Sequence, residues 1–407
     1  MILGATAAAA GCGLVMRHLQ FGFKNVNRAR LMAIGIVSIC ASGAGCSAEP
    51  VSAPRGFAVV AFDTPVSYPV PAAWGITAVD LNNDKVADLL VSSKISPFTM
   101  VGHGDGGFTA SELKLLFGGV RPVAADINGD GLIDIVGYGE IRLGTGGGEF
   151  RGLLRFNPDA VGWPAQHIGV GDYNGDGSAD LLFPKHVSFI SLVPGGPDGR
   201  FASPQQIEVP TLQAELVASG DFNQDGIEDA AVGGNGGGIA ILPGDKAVGA
   251  IHVASVEDAN VSNDSLLAVD MDGDGALDLV SCQGEGKVGV FTGDRQGHFP
   301  HRRYHRAILG SNAVAVADFN QDGRLDVAVS TGWSAEFAVL LAMPDGGFAA
   351  PLVFPTPQHV HSEIAAADFN GDERPDIALT TSQYPPNLAQ NPGDDSGTVE
   401  IFLNASR

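Results

Sequence analysis

Positive charge is scarce in this sequence: 23 Lys and Arg stand against 46 Asp and Glu, a formal net charge of −23. A surface that grips nucleic-acid phosphates has to be basic, so nucleic acid is not an expected partner. Cysteine is sparse too. Of Cys12, Cys40, Cys46 and Cys282, three lie in the first fifty residues. No disulfide framework can be built from what is left, and Cys282 reads as a small buried apolar residue in a strand. The apolar run Leu31–Cys40 is too short to span a bilayer comfortably. No pairing of catalytic groups is visible, and His359 and His361 show no metal-ligand partnering. No catalytic residue is therefore expected, and binding takes precedence over catalysis.

The same apolar run follows Arg28 and Arg30 and precedes the small residues Ala41–Ala48. Basic, apolar and small zones in that order read as a secretory signal. Cleavage before Cys46 would leave that cysteine as a lipid anchor, as in bacterial lipoproteins. Gly43, Ala44 and Gly45 fit such a site in part, since a Leu is expected where Gly43 stands. Cleavage after Ala48 is the alternative. The first twenty residues lie ahead of this signal, and Met16 is a nearer start. The expected layout is a targeting segment over 1–48, a short linker over 49–55 and one repeat domain over 56–407. The expected location is outside the bacterial cytoplasm: secreted, periplasmic or on the surface as a lipoprotein, with no transmembrane span in the mature chain.

Glycine, by contrast, is abundant at 56 residues, and aspartate is arranged in a repeat. One nine-residue pattern recurs seven times: Asp, any residue, Asn or Asp, any residue, Asp, usually Gly, two of any kind, Asp. The copies open at Asp80, Asp126, Asp172, Asp221, Asp270, Asp318 and Asp368, spaced by 46, 46, 49, 49, 48 and 50 residues. The third positions are Asn82, Asn128, Asn174, Asn223, Asp272, Asn320 and Asn370. The fifth are Asp84, Asp130, Asp176, Asp225, Asp274, Asp322 and Asp372. The ninth are Asp88, Asp134, Asp180, Asp229, Asp278, Asp326 and Asp376.

Calcium takes six to eight hard oxygen ligands at about 2.3–2.6 Å. Side chains at positions one, three and five of a tight loop can converge on one point, and the ninth can close the shell. Backbone carbonyls at position seven can add a ligand: Val86, Leu132, Ser178, Ile227, Ala276, Arg324 and Arg374. Asp- and Asn-rich turns can also simply hydrogen-bond their own backbone. Yet these positions hold 22 of the 46 acidic residues in seven copies of identical spacing, and such crowding points to up to seven bound Ca²⁺ ions. An EF-hand is excluded, because position twelve is Gly137 in the second copy and Val329 in the sixth, and because the flanks read as strands.

Each repeat of just under fifty residues reads as four strands: a small apolar one entering the loop, one leaving it, a third rich in Val, Ile, Leu and Phe, and a polar fourth. That is the pattern of a propeller blade. The loops, and the turns Gly104-Asp105-Gly106-Gly107-Phe108 and Asp345-Gly346-Gly347-Phe348, resemble the FG-GAP (VCBS-type) repeats of integrin α-subunit propellers and many bacterial surface proteins. The resemblance covers about residues 56–407. It implies an all-β fold, a seven-bladed β-propeller of four-stranded antiparallel blades. It also implies that each loop joins the first and second strands of its blade, with the ligands at the positions named above. Two copies depart from it: Lys85 and Glu373 stand where Gly is usual, and Lys85 is expected to make the first site the weakest. The last repeat ends after its third strand, Thr398–Leu403, so the N-terminal segment Gly56–Phe62 is expected to supply the fourth and close the ring.

Propellers of this family commonly bind partners on the face opposite the loops. Trp74, Tyr138, Trp163, Trp333 and Tyr384 map to connections there, as gap fillers between blades or as an aromatic platform for a carbohydrate or an extracellular protein ligand. His301–Arg306 is a basic cluster on an outer strand, facing water or meeting an acidic polymer or head group. The enzymatic alternative is a calcium-dependent polysaccharide lyase, which would need a basic or His-containing central cleft.

Overall fold

The computed structural model describes residues 60–406, apart from 114–120, 138, 157–166, 188, 198, 210–212, 236–237, 247–254, 258–264, 284, 333, 358–360 and 383–396. The described chain forms seven four-stranded antiparallel sheets, and in six of them the four strands follow in sequence order from inside to outside. Blade six is representative. Its strands are Ser311–Ala317, Asp326–Thr331, Glu336–Leu340 and Leu352–Pro355. They pair in the registers Val314↔Val329, Ala328↔Val339 and Ala338↔Val353. The second strand is buried along its whole length, whereas the fourth is mostly exposed. This burial explains the sequence pattern: a strand covered on both faces is apolar throughout, and one at the rim need not be.

The core lies between the blades. Seven apolar clusters fill the seven gaps, each built from two neighbouring blades. The gap between blades seven and one contains Ala365, Ala367 and Ile401 from one side and Ile76, Leu89 and Met100 from the other, so the ring is closed. The inner strands use Ala and Val at these contacts because seven of them converge on one axis.

Blade seven is completed by the N-terminal segment as expected, but in a different register. The strand that pairs with Gly397–Phe402 is Val66–Pro69, with Val66 opposite Ile401 and Pro69 opposite Thr398. Phe62, rather than Phe57, takes the place of the turn phenylalanine: it bridges Asn404 just as Phe348 bridges Ala342 in blade six. The Gly56-Phe57 pair imitates the usual turn, but Phe62 is the side chain that packs at the closure. It lies 5.4 Å from the Phe337 ring and 5.0 Å from Phe354. Among the described residues no helix is long and apolar enough to cross a membrane.

Candidate metal centres

Every loop runs from the end of an inner strand to the start of the second strand, so all seven lie on one face of the disc. The local fold is a stack of backbone turns closed by side-chain oxygens. In each copy the fifth Asp accepts the N–H of position seven, at 2.7–3.0 Å. The first Asp accepts the N–H of position six in every copy, at 2.7–2.9 Å. The third residue accepts the N–H of position five.

The ninth Asp does something different. Its carboxylate is almost fully buried in all seven copies. One oxygen accepts the N–H of position two, and the other accepts an N–H at or just past the end of the third strand, as Asp134 does from Ile127 at 3.0 Å and Gly144 at 2.8 Å. It therefore ties the loop to the neighbouring end of the third strand. In five loops both oxygens keep a second lone pair, which leaves room for a metal bond, whereas Asn174 also donates to Asp180 at 3.3 Å and Asn223 to Asp229 through its backbone and side-chain N–H groups. The partner at that end of the third strand is Gly in five blades because the backbone approaches closely there: a Cβ on Gly144 would sit 2.2 Å from the Ile133 carbonyl oxygen. Blades six and seven use Ala342 and Asn404 instead.

Burial pushes these carboxyls upward. Asp88, Asp134, Asp229 and Asp278 rise to about 6, and Asp180, Asp326 and Asp376 to about 7. Backbone N–H bonds oppose the rise, and the neighbouring loop aspartates add to it. In loop five, carboxylate oxygens of Asp270, Asp272 and Asp278 all lie within 4.8 Å of one another. Oxygens about 2.3–2.6 Å from one ion are separated by such distances. The donor set is entirely hard oxygen, which suits calcium. Residues at positions one, three, five and nine, with the carbonyl at seven, would hold it.

The structure also shows what the repeat pattern left undefined. Position four has a left-handed backbone in every copy, from 55° at Gln321 to 77° at Gly371, as does position six. Lys85 and Glu373 adopt that conformation too, at 73° and 66°, as their places in the pattern imply. The signal was present in the sequence, since position four holds only Gly, Asn or Gln. Where it is not Gly, its amide crosses to the next loop. Asn83 donates to the Gly131 carbonyl at 3.3 Å, Gln224 to Gly275 at 2.7 Å and Gln321 to Glu373 at 3.0 Å. Position two is an apolar plug: Leu81, Ile127, Tyr173, Phe222, Phe319 and Phe369 are buried. At position seven, Arg324 pairs with Asp322, and Arg374 with Asp372 at 2.6 Å, so in loops six and seven a guanidinium competes for the fifth carboxylate. Glu228, at position eight of loop four, is a further acid. Burial, then Asp221, Asp229 and Asp172, push it up to about 7, and its Oε2 has no partner.

The opposite face is described in part. Tyr138, Trp163, Trp333 and Tyr384 lie outside the described residues, as do Cys46 and His359. Trp74 is not in a connection but inside the inner strand Ala73–Val79, at a register shift between Ala73 and Gly75. Arg121 lies over its ring, 5.1 Å from the centroid. From blade two, Arg121 reaches Glu363 of blade seven at 2.7 Å and meets His167 of blade three at 2.8 Å. Arginine can only donate, so the His167 Nε2 is the acceptor and the ring is neutral. Burial and the adjacent guanidinium hold its pKa well below the usual histidine value. These residues lie just before or within the first residues of their inner strands, at the end of the blades farthest from the loops.

A sequence profile described as an FG-GAP-like repeat matches residues 270–329, which span loops five and six. No curated protein sequence is matched. Among solved structures, BBS1N in complex with ARL6DN, soaked with mercury, superposes with a TM-score of 0.54 at 12% identity, covering 86% of this chain and 98% of that one. The lead-soaked form of the same complex gives 0.53 at 13% identity with the same coverage. An Agrocybe aegerita lectin described as recognising non-reducing terminal N-acetylglucosamine gives 0.48 at 16% identity, over 72% of this chain and 81% of that one. At these identities the similarity concerns the fold.

Proposed function

The chain is a seven-bladed propeller of FG-GAP-like repeats, and on that premise we propose that it is an exported calcium-binding module that holds a carbohydrate or protein ligand on the face away from its loops. The observation that carries the calcium assignment is the convergence of Asp270, Asp272 and Asp278 in loop five, whose turn hydrogen bonds recur in the other six loops, where the third residue is Asn. Turn hydrogen bonds explain why such loops are ordered. They do not explain three carboxylates placed so close together, which a divalent cation makes favourable. Export is supported by the basic, apolar and small-residue zones between Arg28 and Ala48.

Calcium titration with metal analysis tests this, together with thermal melting in calcium and in a strong chelator. Up to seven ions should bind, with dissociation constants near ~10⁻⁴–10⁻³ M for an extracellular module. Saturation at a hundredfold excess over the dissociation constant should raise stability by about 2.7 kcal/mol for each such site. A metal-free protein that melts identically in both buffers sinks the assignment. Glycan and protein arrays then address the ligand.

The second possibility, a lyase acting on uronate polymers, has one feature in its favour: Arg121 and the neutral His167 give the end of the blades farthest from the loops the basic, His-containing character it requires. Against it, the Arg121 charge is already engaged by Glu363. Release of unsaturated sugar from polyuronate, abolished in His167→Ala, would establish catalysis.

A further inference from the structure

The outer strand of blade five, His301–Arg306, carries three arginines and two histidines in a strongly acidic chain. Its two faces behave differently. One is used within the fold: Arg303 donates to the Asp345 carbonyl of blade six at 3.1 Å, and His305 meets the Phe348 ring edge-on at 4.7 Å. The other carries Arg302, Tyr304 and Arg306, all exposed. Neither Arg302 nor Arg306 has an acidic partner among the described residues, although the chain has twice as many acids as bases.

Edge strands are often charged to prevent pairing with other chains. That does not account for this one. The outer strands Val66–Pro69 and Leu352–Pro355 carry no charge at all, Gln205–Glu208 carries a single Glu, and Phe150–Arg155 carries two arginines, of which Arg151 pairs with Glu149. The tyrosine is also held in place. Its ring packs edge-on against Phe291 at 6.1 Å and lies over Gly289, where a Cβ would come 2.9 Å from the Tyr304 Cε1. In the sheet register Lys287 stands beside Arg306, but its ammonium is already engaged by Glu285 at 2.9 Å, so the free cations of this face are the two arginines.

We propose that Arg302, Tyr304 and Arg306 form a rim site for a linear acidic polysaccharide. Four residues of extended strand separate the two guanidiniums by roughly 13 Å at the Cα atoms, long enough to engage anionic groups on successive sugars. The tyrosine between them offers an apolar ring to the sugar carbons, which a lipid head group or a nucleic-acid phosphate has no use for at that spacing. The carboxylate or sulfate groups supply the charge that the strand lacks within its own molecule.

The probes are polygalacturonate, dextran sulfate and neutral dextran, with phosphatidylglycerol vesicles and a short DNA duplex as alternatives, tested on the full chain with and without calcium. The wild type should bind at least one acidic polysaccharide and ignore neutral dextran. The double variant R302E/R306E should bind it about tenfold more weakly, the loss expected from two exposed charge contacts. Tyr304→Ser should weaken it with no change in net charge. The control is R151E/R155E, which makes the same charge change on the outer strand of blade two, Phe150–Arg155, and should bind as the wild type does. Equal loss in both double variants, tighter binding to vesicles or duplex, or no binding to any acidic polysaccharide overturns the proposal. Melting curves confirm that each variant is folded.

Discussion

A buried aspartate is an awkward residue to repeat seven times, and here each copy is buried for the same reason. Its two oxygens accept two backbone N–H groups that would otherwise be orphaned, a loss of about 1–3 kcal/mol apiece. The cost appears in the proton affinity. With carboxyls raised to about 6–7 against an ordinary 3.8, the ion-free fold binds more protons than the unfolded chain through the weakly acid range. Stability of the ion-free protein should therefore fall as pH rises from about 5 to 7.5, through the raised values. A melting series in chelator should show the transition temperature climbing as pH is lowered toward 5.5, and added calcium should flatten that slope by taking the place of the proton. A transition temperature that rises with pH in chelator would show that these groups are not raised.

At the scale of the element, the loops are linked in pairs. The amides of Asn83, Gln224 and Gln321 connect loops one to two, four to five and six to seven. Glycine occupies the same left-handed position in the other four copies. The triple replacement N83G/Q224G/Q321G therefore removes the links without straining the backbone. If ordering one loop helps to order its neighbour, the triple variant should bind calcium with a shallower titration curve. An unchanged curve would make the links merely structural.

The closing strand is the other element with its own consequence. Val60 and Phe62 pack in the gap between blades six and seven, and Val66–Pro69 supplies the last ladder. Deleting residues 60–69 should lower the transition temperature and broaden the transition. Melting that is unaffected would mean that the ring does not depend on this closure.

For the whole molecule, the loop face and the opposite face are held by different means. The loop face is stitched by turn hydrogen bonds, whereas the opposite face is held by Arg121 reaching across blade one to Glu363 and back to His167. The Arg121 and Glu363 side chains are only 15% and 14% exposed. Removing one partner of such a pair leaves the other charge buried and alone. Burial alone already raises the Glu363 pKa, with Arg121 opposing the rise. Arg121→Met should cost about 3 kcal/mol in chemical denaturation, and R121M/E363Q should recover much of that loss. Equal stability of the single and double variants would show that Glu363 is solvated without its partner.

Much of this was readable from residue order. The seven loops, the four strands of each blade, the buried Cys282 and the exposed basic strand follow from local rules: turn chemistry, alternation and spacing act over a few residues and leave a regular mark. Even the position-four conformation was written there as Gly, Asn or Gln. The tertiary structure alone decided which phenylalanine closes the ring, because Phe62 is chosen by its fit beside Phe337 and Asn404 and not by the Gly that precedes Phe57. It also decided that Trp74, Arg121, His167 and Glu363 meet. Their positions are up to 289 residues apart in the numbering, and only a closed ring of blades brings the first and last repeats side by side.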